Sequence, residues 1–105
     1  MWVRLDDRFT THPKILRCSV QARWLFLECL CYSAGQLTDG RVPVQLLRSH
    51  RRELSELLHQ SLLSKDGDDY LIHDWADYNP SRQQVLDQRA ATRERMQRWR
   101  DKRRE

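Results

Sequence analysis

Most of the chemistry available to this chain belongs to arginine. Of 19 basic residues, 16 are Arg and 3 are Lys. Residues 80–105 hold nine Arg/Lys against four Asp/Glu, a net of +5, while residues 1–79 hold ten against eleven, a net of −1; together they give the chain's +4. A guanidinium presents a planar fork of donors that fits phosphate oxygens and guanine edges. A near-neutral body with a cationic arm is therefore suited to a polyanion, and nucleic acid is the leading candidate inside a cell. The competing view is a solvated helix whose charges serve only solubility.

Other side chains offer little catalytic chemistry. Cys18, Cys29 and Cys31 are odd in number, and a Cys-x-Cys pair on one helix splays its sulfurs by about 200°, so reduced, packing cysteines are expected. His12, His50, His59 and His73 lack metal-ligand spacing, and no fourth ligand completes a zinc site. Asp66, Asp68 and Asp69 have no glutamate at the twelfth position of a calcium loop. Gly35, Gly40 and Gly67 sit at expected turns, and neither a phosphate-binding glycine loop nor a G-x-S-x-G elbow is present. Ser19, Ser49 and Ser81 suit helix caps better than nucleophiles. The expectation is a non-enzyme without metal or cofactor. No apolar run approaches the roughly 18 residues of a membrane span, and the start, Met1-Trp2-Val3-Arg4-Leu5-Asp6-Asp7, does not read as a signal peptide. A cytoplasmic location is expected.

The elements that must position the arginines read as follows. Trp2–Leu5 is a candidate strand or extended lead-in, and Pro13 opens a short helix from His12 to Arg17. Ser19 caps a helix from Val20 to about Ser33, with Val20, Trp24, Leu27, Cys31 and Ala34 sharing one face. Leu25, Phe26, Cys29 and Leu30 extend its apolar cover, and Gly35 is the expected stop. Around Asp39-Gly40 the chain turns into a short extended piece. Pro43 opens a helix, Val44–Arg48, and Ser49 caps another from about His50 to Leu62. In the latter Leu54, Leu57, Leu58 and Leu62 face inward, while Arg51, Arg52, Ser55, Glu56 and His59 face outward. Leu62 to His73 reads as a β-hairpin about Asp66-Gly67. Helix, turn, helix, then hairpin is the order of a winged helix, here with an acidic wing tip. Trp75 and Tyr78 are candidate packing anchors.

Ser81-Arg82-Gln83-Gln84 forms a capping box for a terminal helix, which extends about 33 Å at 1.5 Å per residue. Arg82, Arg89, Arg93, Arg100 and Arg104 fall on one side, Arg95, Arg98 and Lys102 on a second arc. Asp87, Glu94 and Asp101 repeat every seven residues between them. Val85, Thr92, Met96 and Trp99 form a thin apolar stripe, too interrupted by Arg89 and Arg103 for a strong coiled coil.

Two passages resemble a known family. One is Trp2-Val3-Arg4-Leu5-Asp6-Asp7-Arg8-Phe9 with His12-Pro13-Lys14. The other runs from Leu57-Leu58 and Leu62-Leu63 through the glycine-containing hairpin to Tyr70-Leu71-Ile72-His73-Asp74-Trp75-Ala76-Asp77-Tyr78. Both are similar to phage replisome-organiser proteins and to the N-terminal winged-helix domain of DnaD-like replication-initiation proteins. The resemblance covers about Trp2 to Pro80 and implies DNA binding or self-association during origin opening, with host replication proteins as partners. The expected organisation is a mostly α winged-helix domain with a small β-hairpin at 1–79 and a basic helical arm at 80–105. Candidate contacts to duplex or single-stranded DNA are Arg48, Arg51, Arg52, Ser55 and His59 on the helix-turn-helix. On the arm they are Arg82, Arg89, Arg93, Arg95, Arg98, Arg100, Lys102, Arg103 and Arg104. Val85, Met96 and Trp99 are candidates for homo-oligomer contacts. The alternatives are a protein-interaction module or a transcriptional regulator with little DNA affinity of its own. Glu53 and Glu56 beside Arg51 and Arg52 make sequence-specific reading a weak expectation.

Overall fold

The computed structural model of the protein describes residues 2–104, with the side chain of Tyr78 outside the described set. A turn of 3₁₀ helix at Phe9–Thr11 precedes α1 (Pro13–Leu16), α2 (Val20–Gln36), β1 (Arg41–Val42), α3 (Val44–Leu47) and α4 (Arg51–His59). Then come β2 (Leu63–Asp66), β3 (Asp69–Ile72), α5 (Trp75–Tyr78) and α6 (Arg82–Arg104). The fold is mostly helical, with a small antiparallel sheet of order β1-β3-β2 and a long terminal helix. Trp2–Leu5 forms no strand; the stretch is irregular, and Trp2 is 94% exposed.

Local chemistry explains most helix starts. Ser19 Oγ accepts from the Ala22 N–H at 3.2 Å, capping α2. His12 Nδ1 accepts from the Lys14 N–H at 3.2 Å, and Pro13 occupies the first position of α1. Ser49 does not cap α4: the cap position is His50, which makes no side-chain cap bond, and the helix is shorter than expected at both ends. Its far end is set by Ser61, whose φ of 59° is left-handed. The Leu62 N–H then bonds Leu57 O and the Ser61 N–H bonds Leu58 O, closing the helix. Gly35 is not a terminator either. It lies inside α2, which runs to Gln36 and is closed by left-handed Leu37, with the Thr38 N–H bonded to Ser33 O.

The buried face of α2 departs from the expected one at Val20, Trp24 and Cys31, while Ala34 is buried as expected and Leu27 packs against the core. Ala22, Leu25, Phe26, Cys29, Leu30, Ser33 and Ala34 are buried, whereas Val20 and Trp24 are 70% and 64% exposed and Cys31 is exposed. A helix apolar nearly all round gives periodicity no means of choosing a face. Ala22, Cys29 and Ser33 are small and fully buried, which suits close packing of α2 against its neighbours α4 and β1. Val42, Leu47, Leu57 and Leu63 complete the most deeply buried part of the core.

The hairpin pairs Leu63 with Ile72 and Asp66 with Asp69. Gly67, at the first central position of its two-residue turn, has φ +61°, the geometry that glycine supplies at least cost. Its acidic end is internally compensated. Arg41 pairs with Asp66 and lies 3.8 Å from Asp69, whose other oxygen accepts from the Val44 N–H at 3.2 Å. The first N–H of α3 is thus tied to the third strand, fixing the hairpin relative to α3 and α4.

Candidate nucleic-acid interface

The arm is joined to the body by a defined root. Ser81 and Gln84 make the expected reciprocal bonds, 2.8 Å from the Ser81 N–H to Gln84 Oε1 and 3.1 Å from the Gln84 N–H to Ser81 Oγ. Asp39, 43 residues away, accepts from the Arg82 N–H at 2.6 Å, so a carboxylate also sits at the positive end of the helix dipole. Val85 is 7% exposed, set against a small hollow shared by Ser33, Ala34, Leu37, Trp75 and Pro80. Val85 is therefore consumed by the body and does not belong to the exposed apolar stripe.

Behind this root lies a tight corner. Ser33 is fully buried; its hydroxyl accepts from the Gly40 N–H at 2.6 Å and lies 2.8 Å from the Thr38 hydroxyl. Gly40 has φ +90°, and a Cβ there would sit 2.8 Å from Trp75 Cβ. Trp75, one expected anchor, is buried; the side chain of Tyr78, the other, lies outside the described residues.

Beyond the root α6 leaves the body. Every residue from 91 to 104 is exposed, and the molecule measures 62 × 30 × 20 Å with a radius of gyration of 17.6 Å. A compact chain of this length has about 13 Å. The expected arm residues Arg82, Arg89, Arg93, Arg95, Arg98, Arg100, Lys102, Arg103 and Arg104 are all exposed. Glu94 lies 3.9 Å from Arg98, a wet pair with little hold on the guanidinium. Arg103 stacks over Trp99 at 4.7 Å from the ring centre, keeping its charge outward while covering apolar surface. Met96 and Trp99 remain 49% and 53% exposed.

On the body, Arg48, Arg51, Arg52, Ser55 and His59 are exposed as expected. Glu56 departs from its expected outward position. Its carboxylate accepts from the Ser19 N–H at 2.8 Å and the Ser19 hydroxyl at 2.7 Å, which holds its pKa below the usual 4.5. One acidic group is thereby withdrawn from the arginine side of α4. Other arginines are structural. Arg23 donates to the carbonyls of Ile15, Cys18 and Leu16, terminating α1, and Arg41 braces the hairpin. The tertiary partners of Arg41, Asp69, Asp39 and Glu56 were not legible in advance, because each lies 25 or more residues away.

Among the described residues no three His, Cys, Asp or Glu side chains gather as a metal site. Burial raises the thiol pKa of Cys18, and that of Cys29 to about 12, so neither is a ready thiolate. Also among the described residues, no helix is long and apolar enough to cross a membrane. The chain matches no family model, no curated protein and no solved structure.

Proposed function

We propose that this is a DNA-binding protein of winged-helix type, acting in replication initiation of the phage replisome-organiser kind. One observation carries the DNA-binding part: the chain's excess positive charge lies on a helix that is rooted in the body yet exposed throughout its last 14 described residues, 91–104. The order α2, β1, α3, α4, β2, β3 supports the winged-helix assignment, with α3 and α4 as the helix-turn-helix. In this view Arg48, Arg51 and Arg52 meet backbone or base edges from the body, and α6 supplies the main phosphate contacts. Replication initiation rests on the sequence resemblance in Trp2–Phe9 and Tyr70–Tyr78.

The test is fluorescence anisotropy on a labelled duplex across a salt series. Each neutralised phosphate contributes about −0.9 to the log–log slope. Four contacts from α6 therefore make affinity fall by about two powers of ten between about 50 and 200 mM salt. Truncation after Ala90 keeps Val85 in place and removes seven basic residues; the slope must flatten. An unchanged slope leaves the arm without a DNA role.

A second use of the molecule is favoured by a different observation. Leu16, Val20 and Trp24 are exposed apolar residues on the body, as Met96 and Trp99 are on the arm, and such residues suit a protein partner or a second copy. Sedimentation of Trp99→Ala against the unaltered protein measures it: loss of a larger species assigns Trp99 to self-association.

A further inference from the structure

Resting on that DNA-binding reading, we infer that α6 lies inside the major groove of duplex DNA, between its two backbones, with the acidic stripe turned outward. The decisive feature is how charge is distributed around the helix. At about 100° per residue, Arg89, Arg93, Arg100 and Arg104 form one arc, and Arg95, Arg98 and Lys102 form another roughly 180° away. A helix lying along a single phosphate backbone can use only one such arc. The major groove, about 12 Å wide, admits a helix and offers phosphates along both walls, so opposite arcs both find partners.

The two remaining faces set the rotation. Asp87, Glu94 and Asp101 occupy one edge between the arcs, where groove-floor placement would set carboxylates against DNA's strong negative potential. That edge faces solvent. The opposite edge carries Gln88, Thr92, Met96 and Trp99, with Arg103, stacked over Trp99, as its one charged group. Glutamine can pair with adenine, and the methyl groups of Thr92 and Met96 suit thymine's methyl. Residues 91–104 are all exposed, which leaves this stretch of the helix open to the groove walls. From Arg89 to Arg100 the helix rises about 16.5 Å, matching about five base-pair steps.

Dimethyl sulfate footprinting of guanine N7, which opens only into the major groove, combined with salt-dependent anisotropy, tests this. The variants are R93Q/R100Q on one arc and R95Q/R98Q on the other, with helix content checked by circular dichroism. Expected are N7 protection over about five base pairs and, for each pair separately, a slope shallower by about 1.8. Salt-dependent binding without N7 protection overturns the groove placement, as does a slope change in only one pair, which puts α6 along one backbone. Particles holding two duplexes, with both arcs needed but N7 open, also overturn it by making α6 a bridge. Absence of salt-dependent duplex binding in the unaltered protein removes the parent DNA-binding proposal as well, an outcome distinct from the other three.

Discussion

Gly40 is the position at which one added methyl group does most damage. Two costs apply to Gly40→Ala. With φ at +90°, a residue bearing a Cβ is strained by about 1–3 kcal/mol. The new Cβ also lies 2.8 Å from Trp75 Cβ and 3.0 Å from Cγ, closer than van der Waals contact allows. Neither Trp75 atom is the end of a flexible chain, so relief requires moving the indole or β1, and overpacking of this kind costs about 1–3 kcal/mol. The sum, about 2–6 kcal/mol, is a large fraction of the 5–15 kcal/mol by which domains are stable. Gly35→Ala is the internal control: it lies in α2 with nothing within 4 Å of an added Cβ, and should stabilise by about 0.5–1 kcal/mol. Urea unfolding followed by circular dichroism measures both. Because Trp75 and Val85 share the hollow at the arm root, Gly40→Ala should also loosen α6. Equal midpoints for Gly40→Ala and the unaltered protein would refute both the strain and the clash.

Three further outcomes are expected. Glu56→Gln and Ser19→Ala should each lower stability by about 1 kcal/mol at neutral pH, with non-additive losses in a double-mutant cycle, since both break one contact. The Glu56 contribution has a defined sign. Its folded pKa is depressed, so the stabilisation is complete above the ordinary value and disappears as pH falls through the lowered one; acid unfolding of Glu56→Gln should lack that component. Val85→Asp should unseat the root of α6 by burying a carboxylate against Trp75 and Pro80, visible as faster hydrogen exchange in residues 82–90 with the sheet amides unchanged. Trp99→Ala should leave the urea midpoint within about 0.5 kcal/mol, because an exposed side chain on the free half of α6 supports nothing in the body.

Much of the architecture was legible from short-range chemistry. Pro13, Ser19, Pro43, the Ser81–Gln84 box and the glycine of the hairpin each act within about four residues, a range that local sequence encodes directly. The separation of charge between body and arm needed only counting. The face of α2 was illegible, because a helix apolar on every side packs according to its neighbours' shapes. The ends of α2 and α4 were misplaced for a related reason. Leu37 and Ser61 adopt left-handed conformations that their side chains do not advertise, whereas Gly35, which does advertise one, is held helical.

By itself, then, the sequence determined that a near-neutral helical body with a hairpin carries a strongly cationic terminal helix, because composition and capping are properties of neighbouring residues. Tertiary structure decided which charges are spent and which are offered. Glu56 is turned to Ser19, Arg41 to the hairpin aspartates, Arg23 to the end of α1 and Asp39 to the root of α6. These partners meet only when elements pack, since hydrogen bonds reach about 3 Å through space whatever the distance along the chain.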